Sequence, residues 1–99
     1  MPSISEQLSR FANDIPFGDI PESVKRRAKH LILDGAGIAL ASSTYDFAHR
    51  TVNALGAFGS GDAHVIGFPT KLALRDAVVA NGVLIHGLDF DDTHQVGTI

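Results

Sequence analysis

Cysteine is absent from the sequence. That excludes disulfide scaffolds, thiolate metal sites and a cysteine nucleophile, and it fits a reducing compartment. Long hydrophobic runs are also missing. The longest, Gly35 to Ala41, falls well short of the roughly 20 residues needed to cross a bilayer. The first residues, Met1-Pro2-Ser3-Ile4-Ser5-Glu6-Gln7, carry an acid early and show no charged-then-apolar leader pattern. The expectation is a cytoplasmic protein with no membrane partner. Positive charge is scarce, with eight Lys and Arg against eleven Asp and Glu and a net charge of −3. The one basic cluster, Lys25-Arg26-Arg27, reads as a solvated face, so nucleic acid is not an expected partner. No glycine-rich phosphate loop is present. Gly59-Ser60-Gly61 follows a helical pattern rather than a strand, the wrong order for dinucleotide binding. No repeat, low-complexity tract or flexible linker breaks the 99 residues.

What remains is an ordinary globular composition, 44% hydrophobic and 19% charged, of a length that suffices for one small domain. That much apolar surface argues against disorder. Ser3 or Ser5 caps a first helix, and Ser3 with Glu6 has capping-box spacing. Ile4, Leu8, Phe11, Ala12 and Ile15 follow on one helical face, and Pro16 ends the run. Phe17 to Ile20 reads as a turn. Pro21 suits the first position of a second helix, and Glu22 favours its positive end. Val24, Ala28, Leu31, Ile32, Gly35 and Ala39 make its apolar face. From Leu31 to Ala41 the pattern is apolar almost all round, which predicts burial on every side. Gly35 and Gly37 leave room for a close neighbour at about 1 kcal/mol each relative to Ala.

Ser42-Ser43-Thr44 closes that helix. A third is predicted from about Asp46 to Phe58, with Phe47, Val52, Leu55 and Phe58 apolar. The Gly59-Ser60-Gly61-Asp62 cluster breaks it. Ala63 to Gly67 reads as one short extended segment, and Phe68-Pro69-Thr70-Lys71 turns the chain again. A fourth helix is predicted from Leu72 to about Leu88, with Ala73, Ala77, Ala80, Asn81, Leu84 and Leu88 along its apolar face. The predicted class is all-α, with about four helices and at most one short strand. A fragment of four helices offers few neighbours for the apolar half of the second. That points to a missing partner surface, from the same chain or another subunit.

The chemistry concentrates after the fourth helix, in His86-Gly87-Leu88-Asp89-Phe90-Asp91-Asp92-Thr93-His94. If the helix continues, Asp89 and Thr93 share a face, and His86 meets Asp89 three residues on. A carboxylate beside a hydroxyl and an imidazole can abstract, deliver or share a proton. Asp89, Asp91 and Asp92 repel one another if all ionise, so a helix N-terminus, a Lys or Arg from elsewhere or a metal is expected nearby. Plainer roles suit the same residues. Asp91 or Asp92 can cap a following helix, His86 can be a satisfied core histidine, and Asn81 can bond one helix to another. His30, His49 and His64 have no partner at useful spacing. Asp89, Asp91, Asp92 and His94 also offer oxygen and nitrogen ligands suited to Mg²⁺ or Mn²⁺, although they match no calcium-loop spacing.

The string Asn81-Gly82 through His86-Gly87-Leu88-Asp89-Phe90-Asp91-Asp92-Thr93 resembles the signature of the MmgE/PrpD family. That family includes 2-methylcitrate dehydratase, cis-aconitate decarboxylase and iminodisuccinate epimerase. Two further stretches agree in order. Leu33-Asp34-Gly35 followed by Gly37-Ile38-Ala39-Leu40-Ala41 is similar to the family's early LLDxxGxALAG helix. His64-Val65-Ile66-Gly67 is similar to its short ATVLG segment.

The resemblance implies the N-terminal part of a helical domain, in homodimers that work without a metal or other cofactor. It implies small di- and tricarboxylic acid substrates and proton transfer leading to loss of water, loss of CO₂ or epimerisation. It places Asp89 and Thr93 at catalytic positions, and His86 and Asn81 at recurrent motif positions that also fit a structural role; His86, Asp92 and His94 are the candidate substrate-binding residues. The family motif runs on to a histidine beyond the acidic cluster, and this sequence stops at Ile99. The expectation is therefore residues 1–99 as a single partial domain, an N-terminal fragment of a lyase or epimerase that is inactive alone. The alternative is a stand-alone, non-catalytic helical module used for subunit association.

Overall fold

The computed structural model describes residues 1–91. The chain divides into two compact units, Met1–His30 and Leu31–Ile99.

The first unit opens with helix α1 (Ile4–Asp14). Its start is the capping box read from the sequence. Ser3 Oγ accepts from the Glu6 N–H at 3.2 Å, and Glu6 Oε2 accepts from the Ser3 N–H at 2.6 Å. Two of the four N–H groups that a helix start leaves unpaired are thereby satisfied. Ile15, held extended ahead of Pro16, ends the helix. A single 3₁₀ turn covers Phe17–Asp19, and helix α2 (Glu22–Ser42) follows. The Pro21 carbonyl accepts from the N–H groups of Val24 and Lys25, so the proline sits one position ahead of the helix. Lys25 Nζ lies 3.0 Å from Glu22 Oε1 and 4.2 Å from the centre of the Phe17 ring, a cation–π contact that folds the turn onto the helix. The stripe Ile4, Leu8 and Phe11 is amphipathic as predicted, and no residue of α1 is buried.

The second unit holds the core. It contains the end of α2, helix α3 (Asp46–Gly56), a two-residue strand β1 (Ala63–His64) paired antiparallel with β2 (Lys71–Leu72), and helix α4 (Leu74–His86). Ala63 faces Leu72, and His64 faces Lys71. Ala39, Ala48, Val52, Val65, Leu72, Ala77, Ala80 and Leu84 form one buried cluster. Half of these are alanines, so elements approach closely over small side chains. Phe47, Leu55, Ile66, Phe68 and Ile85 pack around them.

The all-α class stands, with three corrections in detail. The extended segment has a partner, so there are two short strands rather than at most one. Because Lys71 and Leu72 are used in that ladder, α4 begins two residues later than predicted. The second half of α2 is not buried on every side. Only Ala39 and Ser42 are buried, while Ile32 and Leu33 are 73% and 71% exposed. An apolar pattern reports what a surface can bury, and here α4 and the hairpin cover one side only.

Asn81 ties the hairpin to α4. Its Oδ1 accepts from the Ile66 N–H at 2.9 Å, and its Nδ2 donates to the His64 carbonyl at 3.1 Å. It bonds helix to hairpin, not helix to helix. Between these two contacts Val65 is buried, and the Val65–Phe68 turn closes with Gly67 at φ +79°. That value fits the third position of a type II turn, which favours glycine. A Cβ there would also meet Ser43 Cβ at 2.7 Å. Replacing Asn81 by Ala removes the partner of one part-buried N–H and one exposed carbonyl, so Asn81→Ala is expected to lower unfolding stability by about 0.5–1.5 kcal/mol. Urea denaturation checks this, and an unchanged midpoint would show that the bonds contribute nothing net.

Candidate active site

The site is built on the last turn of α4. A helix end leaves its final carbonyls without partners, and here three of them find one. The Val83 carbonyl accepts from the Gly87 N–H at 2.8 Å, and the His86 carbonyl accepts from the Asp89 N–H at 2.8 Å. The Leu84 carbonyl accepts from Ser42 Oγ at 2.5 Å, a buried bond from the end of α2. Gly87 stops the helix against α3, and a Cβ there would run into the Phe47 ring.

The helix therefore ends at His86, before the acidic motif. Asp89 is not on a continuation of α4, and the shared helical face expected for Asp89 and Thr93 is not how Asp89 is placed. Asp89 takes a left-handed conformation at φ +57°, the one such non-glycine position among the described residues. Asp is among the few residue types that tolerate it, because a short polar side chain can bond locally. The reversal brings Asp91 back to His86. Both Asp91 oxygens lie 3.1 Å from His86 Nδ1. One ligand-type atom from each of His86, Asp89 and Asp91 falls within 4.8 Å of the others. His86 and Asp89 lie near one another across a turn, without a hydrogen bond between their side chains. Asp91 is hydrogen-bonded to His86, whose side chain is 73% exposed against 29% for Asp91. Asp92, Thr93 and His94 lie outside the described residues.

Asp91 also lines a cleft of about 210 Å³ with Leu31, Asp34, Gly35 and Ile85. An open apolar pocket of about 400 Å³ adjoins it, sharing Leu31, Gly35 and Ile85 and adding Ile32, Ala36 and Ile66. The arrangement is an imidazole–carboxylate edge beside apolar walls. Such an edge can exchange a proton with a small acid whose carbon skeleton rests on the walls. The three donors are also of types that hold a divalent cation, but exposed acidic groups gather in this way without one.

Asp34 was missed in the sequence, although the signal was there. It is the one charged residue between Leu31 and Ala41, and it interrupts an otherwise apolar helix. Asp76 was missed as well. It is buried in the first turn of α4, 3.1 Å from Arg75 Nε. His30 and His64 are exposed, and His49 meets Phe68 edge-on at 5.0 Å, so none of the three joins the site.

Among known proteins, residues 6–99 match the MmgE/PrpD N-terminal domain. Cis-aconitate decarboxylase of Aspergillus terreus is 32% identical over 93 residues, which cover 93% of this chain and 19% of the relative. Human cis-aconitate decarboxylase is 30% identical over 98 residues, covering 97% of this chain and 20% of the relative. The cis-aconitate decarboxylase-like protein oryM of Aspergillus oryzae is 28% identical over 98 residues, covering 98% and 20%. The chain thus spans about a fifth of the length of these curated relatives. No solved structure matches it. With the family domain extending from α1 through the His86–Asp91 turn, the chain belongs to the MmgE/PrpD family.

Proposed function

We propose that this chain supplies part of a proton-transfer site acting on a small di- or tricarboxylic acid. The observation that carries the reading is the reversal at Asp89, which gathers His86, Asp89 and Asp91 within 4.8 Å at the end of α4. Asp89 and Thr93 are assigned the catalytic roles, and His86, Asp92 and His94 bind substrate. The relatives named cis-aconitate decarboxylases favour loss of CO₂ over loss of water or epimerisation. In such a step the carbon–carboxylate bond breaks and the carbon takes up a proton, which a positioned acid provides. On this reading residues 1–99 are part of a larger helical domain of a cytoplasmic lyase and do not turn over substrate alone. None of the described helices is long and apolar enough to cross a membrane.

In a full-length enzyme carrying this segment, Asp89→Asn is expected to cut turnover roughly 10²–10⁴-fold with an unchanged melting temperature. Turnover equal to wild type would remove Asp89 from the site. No cation is assigned to the His86, Asp89 and Asp91 trio, because proton transfer needs none. Adding Mg²⁺ or Mn²⁺ should then leave the melting temperature where it was. A ligand bound only by the folded state raises it by mass action, so a concentration-dependent rise would overturn the metal-free reading.

A second reading is subunit association, favoured by the exposed Ile32, Leu33 and Leu40 on α2 and by the stripe on α1. A homo-oligomer would cover such surfaces. Sedimentation of the 99-residue chain should show concentration-dependent association. A monodisperse monomer with a sharp cooperative melt would exclude it.

A further inference from the structure

The reading above gives Asp91 no role, yet its carboxylate makes the best-defined polar contact at the site. Both oxygens lie 3.1 Å from the same ring nitrogen, His86 Nδ1. Asp91 is the more sheltered partner and is anchored in the wall of the cleft with Leu31, Gly35 and Ile85. His86 projects further into solvent. An ionised carboxylate only accepts hydrogen bonds, so the contact requires the proton to sit on Nδ1. A neutral ring in that form leaves Nε2 unprotonated and able to accept. Turning the ring over would put carbon Cδ2 where Nδ1 now stands and lose the bond to both oxygens.

We propose that Asp91 is a positioning residue. It fixes His86 in the Nδ1-protonated tautomer and so presents Nε2 as a hydrogen-bond acceptor for a hydroxyl or protonated carboxyl group of the substrate acid. Carboxylates commonly set the tautomer of a functional imidazole in this way. The role in catalysis rests on the placement of His86 in the site proposed above. Asp89 belongs to the same trio but makes no hydrogen bond to the ring, so the two carboxylates have separable effects.

Long-range ¹H–¹⁵N spectra of the ¹⁵N-labelled chain read the tautomer directly, at a pH where the imidazole is neutral. His86→Gln identifies the His86 signals by their loss. The expected result is an Nδ1–H ring in the wild-type chain. In Asp91→Ala the ring moves toward the Nε2–H form that free imidazole prefers, and in Asp89→Ala it stays Nδ1–H. An Nε2–H ring in the wild type, or a tautomer that Asp91→Ala leaves unmoved, overturns the proposal. So does a change in Asp89→Ala instead of Asp91→Ala. Should Asp91→Ala disturb the amide spectrum at large, the wild-type tautomer alone decides. The measurement needs no substrate. It can fail while Asp89→Asn still abolishes turnover, which separates an error about Asp91 from an error about the site.

Discussion

The buried hydrogen bond from Ser42 Oγ to the Leu84 carbonyl joins residues 42 positions apart and fixes where the last turn of α4 lies. His86 is two residues beyond that carbonyl. Gly87 to Asp91 follow directly from this turn. The bond answers a requirement that every helix end imposes, since carbonyls excluded from water cost free energy if unpaired. Gly87 and Asp89 provide for two further carbonyls through the backbone, and in doing so they set the direction in which the chain leaves the helix. Closing a helix properly and gathering the acidic motif are thus one event.

The opposing terms at the turn are close in size. Holding a non-glycine residue left-handed costs roughly 1–2 kcal/mol, less for Asp. A charged hydrogen bond contributes about 1.5–3 kcal/mol when sheltered, and much less when a partner is as exposed as His86. The His86–Asp91 contact alone therefore roughly offsets the Asp89 conformation and does not enforce it. The surplus comes from the backbone bonds and from Phe47 lying against Gly87.

Much of the fold was legible because local rules decided it. The capping box at Ser3, the stop before Pro16 and the start of α3 at Asp46 follow from side chains a few residues apart, and the structure keeps them, although α3 ends at Gly56, two residues short of Phe58. The failures share one cause. That Lys71-Leu72 would pair with Ala63-His64 depends on a contact between segments, and two-residue strands carry no period to read. Burial of α2 was overestimated because periodicity describes a face without saying what lies against it. Asn81 was correctly singled out as a polar residue on an apolar face, but its partners, Ile66 and His64, come from a hairpin that the pattern did not reveal.

The sequence by itself determined which chemistry is present. His86, Asp89 and Asp91 sit within six residues of one another, and the motif around them is specific enough to mark the family. Only the tertiary structure decided how they are arranged. Sequence spacing put the helix end at about Leu88 and paired Asp89 with Thr93 only if the helix continued. The helix instead stops where Phe47 meets Gly87 and where Ser42 takes the Leu84 carbonyl, and the chain reverses at Asp89. Helical spacing alone does not bring residues five apart together, so the His86–Asp91 contact was invisible until that stop was known. The physical reason is that the endpoint of a helix is set by whichever groups satisfy its last carbonyls, and here one of those groups lies 42 residues away.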